Sequence, residues 1–239
     1  MTGASRGIGR TLSVALARAG AALVLLGRDA ALLGEVEAEL TSAGLSATSI
    51  VADVRDTAAL GDLFAHAAAW RGRVDILVNN AGVESPRASA DVDETLWDLI
   101  LDTNLKAAFF CAQAAARAMP AGGVILNVCS LTSEVGAPGA AANGASKSGL
   151  AGLTRTLAAE WADRGIRVNG IGPGYFRTAL TEAFYEEPAW EQSMLRKIPL
   201  RRFGRLEELG GAAVFLCSDA ASYVTGQILF VDGGYLAAL

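Results

Sequence analysis

The sequence has no surplus of positive charge, a single histidine, three cysteines and no long uninterrupted apolar run. A net charge of −5 provides no basic field of the kind that nucleic-acid phosphates require, so DNA and RNA are excluded as expected partners. No segment strings together the roughly 18 apolar residues needed to span a membrane. The N-terminus also lacks a charged start followed by an apolar signal core. The expectation is a soluble, cytoplasmic chain with no membrane partner. The one histidine, His66, sits in an alanine-rich helical stretch, and a zinc site is left without its usual ligands. Cys111, Cys129 and Cys217 lie far apart within apolar stretches and read as buried reduced thiols rather than disulfide partners or metal ligands. No linker rich in Pro, Ser or Gly divides the chain and no repeat of fixed period is visible.

What is present is apolar. Hydrophobic residues make up 52% and charged residues 19% of the 239, a balance suited to one sheet covered by helices on both faces and unlike that of a disordered chain. Short aliphatic runs at Ala22–Leu26, Thr48–Ala52, Ile76–Asn79, Gly123–Val128, Ile166–Gly170 and Ile228–Val231 alternate with stretches of helical period. Those stretches are Gly9–Ala19, Ala30–Ala43, Ala58–Trp70, Glu94–Met119, Gly144–Asp163 and Leu206–Cys217. Alternation of this kind predicts an α/β fold: a doubly wound parallel sheet, Rossmann-like, in a single domain over residues 1–239.

Thr2-Gly3-Ala4-Ser5-Arg6-Gly7-Ile8-Gly9 leads at once into an amphipathic helix, so its backbone N–H groups can gather around a phosphate at the helix's positive end. Such a loop alone is a weak signal, because glycine-rich turns also serve packing. It is normally aimed by a preceding β-strand, and only Met1 stands before it. The central first strand is therefore expected to be missing from the sequence, through a misassigned start or a trimmed chain.

TGASRGIG at 2–9, Asn79-Asn80-Ala81-Gly82, Asn104, Ser130, Lys147 and Pro173-Gly174 with Thr178 together resemble the short-chain dehydrogenase/reductase family, in order and spacing along essentially the whole chain. The resemblance implies a nicotinamide dinucleotide held by Gly3, Ser5, Arg6, Gly7, Ile8 and Gly9, by Arg28, Asp53 and Val54, by Asn80, Ala81 and Gly82, and by Lys147, Pro173, Gly174 and Thr178. Asp53 would contact the adenine, and Thr178 the nicotinamide carboxamide. Read as local structure alone, Asp53 ends a strand and Asn79-Asn80 forms a turn. Gly27 stands where NAD-using relatives usually carry Asp. Without that carboxylate nothing repels a ribose 2′-phosphate, and Arg28 and Arg6 can grip it. NADP is the preferred cofactor and NAD the alternative, which an inward swing of Asp29 would favour.

Hydride transfer to a carbonyl needs an acid near the nicotinamide and donors for the developing negative charge. By resemblance Asn104 organises a relay water, Ser130 orients substrate and Lys147 binds the nicotinamide ribose. The family's Tyr-x-x-x-Lys motif here reads Asn143-Gly-Ala-Ser-Lys147. The i, i+4 spacing keeps both side chains on one helical face, but a carboxamide has no proton to give up at accessible pH. Three explanations stand: an engineered substitution, a natural pseudoenzyme with a sensing or assembly role, or another proton donor. Tyr175 is the tyrosine nearest the expected nicotinamide.

Residues 178–198, with Glu182, Tyr185, Glu186, Glu187 and Trp190, read as a substrate lid or an exposed amphipathic helix pair. Gly174–Thr178 and Arg205–Leu216 look most like gluconate 5-dehydrogenases and related sugar-acid enzymes. That implies a small-molecule substrate such as a polyhydroxy acid, with Arg177, Arg201 or Arg202 available to its carboxylate. Leu150, Leu153, Leu157 and Trp161 at helical spacing, together with a terminal edge strand, suggest a homotetramer, against burial of that helix in its own core.

Overall fold

In a computed structural model, which describes residues 1–119, 122–178 and 188–238, parallel strands and helices alternate along the chain. The strands are β1 (Leu23–Gly27), β2 (Ala47–Val51), β3 (Ile76–Asn79), β4 (Gly123–Val128), β5 (Ile166–Pro173) and β6 (Ile228–Val231). The helices are α1 (Gly7–Arg18), α2 (Ala30–Ser42), α3 (Leu60–Arg71), α4 (Glu94–Leu101), α5 (Ala107–Arg117), α6 (Ala141–Trp161), α7 (Pro188–Lys197) and α8 (Glu208–Cys217). The expected doubly wound architecture is present, with most element ends within three residues of those read from the sequence.

Strand pairing falls into two pieces, β1–β2 and β3–β4–β5–β6, all parallel. Among the described residues no strand precedes α1. Instead the first residues join the two pieces: Met1 N donates to Val24 O at 3.0 Å, Leu26 N to Met1 O at 2.8 Å and Thr2 N to Val78 O at 3.0 Å. Thr2 also forms a lone parallel bridge with Leu26.

β4 reads Gly-Val-Ile-Leu-Asn-Val, and the two faces of this nearly continuous apolar strand enter different cores. Val124, Leu126 and Val128 pack with Leu12 and Leu16 of α1, Leu33 and Leu40 of α2 and Leu209 and Leu216 of α8. Ile125 packs on the opposite side with Phe64 of α3, Cys111 of α5 and Leu157 and Trp161 of α6. Each fully buried leucine contributes about 1.5–3 kcal/mol relative to exposure, so the alternation along one strand ties both helical layers to it. Under the second layer runs a buried polar chain: Asn79 Nδ2 donates to Asn127 Oδ1 at 3.0 Å, and Asn127 Nδ2 to Thr154 Oγ1 at 2.9 Å.

One helical stretch differs from its expected form. The run read as a single helix over 94–119 contains a π-helical segment, Asp102–Lys106, between α4 and α5. Such insertions rotate the side chains that follow and recur at functional sites; here the segment carries Asn104 inward, 1% exposed.

The α6 residues read as a possible subunit interface lie inside the chain's own core. Leu150, Leu157 and Trp161 are buried, and Leu153 is partly so. Periodicity marks a buried helical face without saying which surface covers it, and the chain's own sheet does so here. All three cysteines are buried and unpaired, and burial pushes the thiols of Cys111 and Cys217 up to about 12.

Candidate active site

A cleft of about 1110 Å³ opens along the carboxyl ends of the strands, where doubly wound sheets bind ligands. Every residue that the resemblance places at a dinucleotide or catalytic position lines it, Gly3, Arg28, Asn143 and Thr178 among them. The two ends are built differently.

At the phosphate end, the loop before α1 is pinned to the segment after β3. Asn80 Nδ2 donates to Thr2 O at 3.0 Å and Gly3 O at 2.9 Å, while Thr2 Oγ1 accepts from the backbone of Asn80 and Ala81, both at 3.0 Å. This approach explains Gly9: a Cβ there would stand 2.0 Å from Gly3 O. Arg6 caps α1 with no side-chain hydrogen bond, so the N–H groups of the first turn face the cleft without an internal acceptor. They form a cradle with the positive end of a helix dipole behind it, which fits a pyrophosphate.

The ribose end carries cations and no opposing carboxylate at position 27. Arg6 and Arg28 line the cleft, and Arg28 is only 4.0 Å from its nearest anion, Asp53. Asp29, the group whose inward swing would favour NAD, instead caps α2 by accepting from Leu32 N at 3.1 Å. Asp53 accepts from Arg55 at 2.6 and 3.0 Å, and this guanidinium holds its carboxyl below the usual range.

At the substrate end, Asn104 Oδ1 accepts from Val83 N at 2.8 Å and Asn104 Nδ2 donates to Val83 O at 2.9 Å. The same Nδ2 reaches Asn143 Oδ1 at 3.4 Å. Asn143 Nδ2 donates to Thr132 Oγ1 at 3.3 Å, and Thr132 Oγ1 to Ser130 Oγ at 3.0 Å. Ser130 Oγ also accepts from Thr132 N at 3.2 Å, so its own proton is left to donate to a substrate oxygen. Lys147 Nζ donates to Val128 O at 2.7 Å, and desolvation lowers its pKa. Asn143 thus occupies the tyrosine position as a hydrogen-bond link between Asn104 and Thr132.

Several expected partners are engaged elsewhere. Tyr175 is absent from the cleft wall and sits among Trp190, Phe203 and Tyr235, with ring centroids 5.7, 6.4 and 5.3 Å away. Arg177 pairs with Glu191 at 2.8 Å, Arg202 grips Glu208 at 2.7 and 2.8 Å, and Arg201 donates to Arg196 O. None of these three lines the cleft; nearby acidic and carbonyl groups claim side chains that a sequence shows only as charges. Of the expected lid, Trp190 lies on α7, while Glu182, Tyr185, Glu186 and Glu187 fall outside the described residues.

One cleft residue carried no sequence signal. Glu84, next to the clamped Val83, lines the cleft and makes no hydrogen bond to the described residues; desolvation pushes its carboxyl up to about 7 against the pull of Lys147. Its one discernible mark is an acid directly after Asn-Asn-Ala-Gly-Val. Among the described residues no cluster of His, Cys, Asp or Glu could hold a metal ion, and no helix is long and apolar enough to cross a membrane.

The model of a family described as enoyl-(acyl carrier protein) reductase matches residues 3–236. A gluconate 5-dehydrogenase of Gluconobacter oxydans (strain 621H) is 43% identical over 241 residues, covering 100% of this chain and 94% of the relative. A galactitol 2-dehydrogenase (L-tagatose-forming) of Cereibacter sphaeroides is 42% identical, covering 98% of this chain and 93% of the relative. Among solved structures, a gluconate 5-dehydrogenase from Burkholderia cenocepacia J2315 in complex with NADP and tartrate superposes with a TM-score of 0.97 at 38% identity, covering 100% of this chain and 94% of that one.

Proposed function

The chain belongs to the short-chain dehydrogenase/reductase family, and on that premise we propose an NADP-dependent oxidoreductase that interconverts a carbonyl and a secondary alcohol on a sugar acid or polyol. The observation that carries this reading is the continuous cleft in which an uncapped helix start, Arg6 and Arg28, and the Asn104–Asn143–Thr132–Ser130 chain succeed one another. When bound, the dinucleotide supplies the hydride donor or acceptor. The first turn of α1 holds its pyrophosphate, Arg6 and Arg28 its 2′-phosphate, and Lys147 its nicotinamide ribose. Ser130 donates to the substrate oxygen, and the amide chain behind it fixes that donor's direction.

Two relatives act, by name, on gluconate or galactitol, and one of the solved structures holds NADP and tartrate. The polar substrate end suits such polyhydroxy compounds. Asn143 impairs proton transfer relative to a tyrosine at that position, by roughly 10²–10⁴-fold if no other group intervenes. A second reading, a dinucleotide-binding protein without turnover, is favoured by the hydrogen bonds that tie the Asn143 amide to Asn104 and Thr132. Assembly as a homotetramer belongs to the first reading, and with α6 turned into its own core, its physical ground is the terminal strand β6.

The test is calorimetric titration with NADP and NAD, followed by NADPH absorbance with gluconate-type and keto-acid substrates for the chain and for N143Y. Tighter binding of NADP and faster turnover by N143Y are expected. Failure to bind either dinucleotide would sink the oxidoreductase reading, and equal turnover would sink the impairment.

A further inference from the structure

We propose that Glu84 is the catalytic acid–base of this chain, giving its proton to the substrate oxygen in carbonyl reduction and taking it back in alcohol oxidation. The inference deepens the oxidoreductase reading and rests on it. Glu84 follows Val83, and Val83 is held at both its N–H and its C=O by Asn104, whose Nδ2 also reaches Asn143. The clamp therefore fixes the backbone from which Glu84 springs beside the position where the family's tyrosine would stand. The side chain lines the same cleft as Ser130, Asn143 and Lys147 and is half-buried, with no hydrogen bond to the described residues.

Its electrostatic surroundings suit the role. Lys147 on α6 is the charged group that acts on the carboxyl, and the two influence each other. Cys129 at the end of β4 acts on Lys147. On the π-helical segment, Asp102 and Lys106 are exposed and paired with each other at 3.1 Å. The balance of desolvation over attraction leaves the acid titrating at about 7, the range in which a general acid–base works best near neutral pH.

The step balances. In reduction the carbonyl carbon gains a hydride from the reduced nicotinamide dinucleotide and the C=O π pair moves to oxygen. That oxygen forms its O–H bond as the Glu84 O–H bond breaks. The resulting carboxylate is favoured by the charge of Lys147 and recovers a proton from solvent through the open cleft. Oxidation runs the same bonds in reverse.

Four forms decide the matter: the unaltered chain, E84Q, N143Y and the double variant. They are assayed with NADPH and a keto-sugar-acid panel across pH, alongside a ¹³C carboxyl titration of the dinucleotide-free chain. E84Q is expected to lower reduction by at least roughly 10²-fold in the unaltered background. Its effect in the N143Y background should be at least tenfold smaller, because a phenol then shares the task. The unaltered rate should fall as pH rises through about 7, and a carboxyl signal missing from E84Q should titrate there. Equal rates for the unaltered chain and E84Q, or a Glu84 signal titrating in the ordinary carboxylate range, would overturn the proposal. Activity confined to N143Y would overturn Glu84 and leave the oxidoreductase reading standing. Silence from all four forms on every substrate would overturn both, with the carboxyl titration still reporting the state of Glu84.

Discussion

Asn104 and Asn143 meet at the substrate end of the cleft, the Nδ2 of the first 3.4 Å from the Oδ1 of the second. The contact joins the π-helical segment to α6 and shows how the carboxamide at the tyrosine position fits its neighbours. The stronger bonds of Asn104 are to Val83, at 2.8 and 2.9 Å. They hold the strand-to-loop exit that carries Glu84.

N104A would leave the Val83 N–H and C=O without partners in a half-buried site. An unmade bond of this kind costs about 1–3 kcal/mol, so the urea midpoint should fall accordingly. Dinucleotide affinity should change less, because the phosphate end is built by separate contacts. An unchanged midpoint would show that water replaces the amide without loss.

At that other end the close approach is made at Gly9. A Cβ on Gly9 would lie 2.0 Å from Gly3 O, which is backbone, and 2.5 Å from Asn80 Nδ2, which is held by its hydrogen bonds to Thr2 O and Gly3 O. G9A should force the loop off the Asn80 anchor and weaken NADP binding at least tenfold by calorimetry. Binding within twofold of the unaltered chain would mean the loop is not the phosphate cradle.

Much of this was legible in the residues. β3, β4 and β6 coincide with the aliphatic runs read from the sequence; β3 and β4 are buried on both faces but for their first residues, whereas β6 is half-buried with Leu229 exposed. The glycine loop, Asn80, Ser130 and Lys147 were legible through spacing, which sequence preserves. What spacing cannot carry is competition among partners. Arg177 and Arg202 read as candidate carboxylate ligands until Glu191 and Glu208 are seen to hold them. Tyr175 read as a spare proton donor until its ring is found in an aromatic cluster. Glu84 had no motif at all, and its character comes from desolvation beside residues far away in sequence.

Cofactor choice can be tested at Gly27. A Cβ there meets Leu33 at 3.4 Å, ordinary contact, which leaves room for the first carbon of the G27D side chain. Its carboxylate would repel a 2′-phosphate and accept from a ribose hydroxyl. Charge-assisted bonds of about 1.5–3 kcal/mol are at stake, so the NADP-to-NAD affinity ratio should fall by roughly 10–100-fold. R28A should lower NADP affinity while leaving NAD binding near its original value. An R28A variant that weakens both dinucleotides equally would place the 2′-phosphate elsewhere.

Glu84 also makes stability depend on pH, in a direction opposite to that of an ion-paired carboxylate. Its folded value, about 7, lies above the ordinary value of 4.5 because the cleft desolvates the charge. Between those values the folded chain keeps a proton that the unfolded chain has released, so the stability slope with pH is negative there. The contribution is fully present below the ordinary value and lost as pH rises through about 7. Partial exposure reduces its size through solvent screening. Other carboxylates act in the opposite sense: Asp53, held low by Arg55, stabilises the fold as pH rises from the acid side. The comparison must therefore be a difference between variants. Melting temperatures of the dinucleotide-free chain and E84Q, measured from about pH 5 to 8, should diverge in favour of E84Q as pH increases. Parallel curves would mean that Glu84 ionises at its ordinary value and the cleft does not desolvate it.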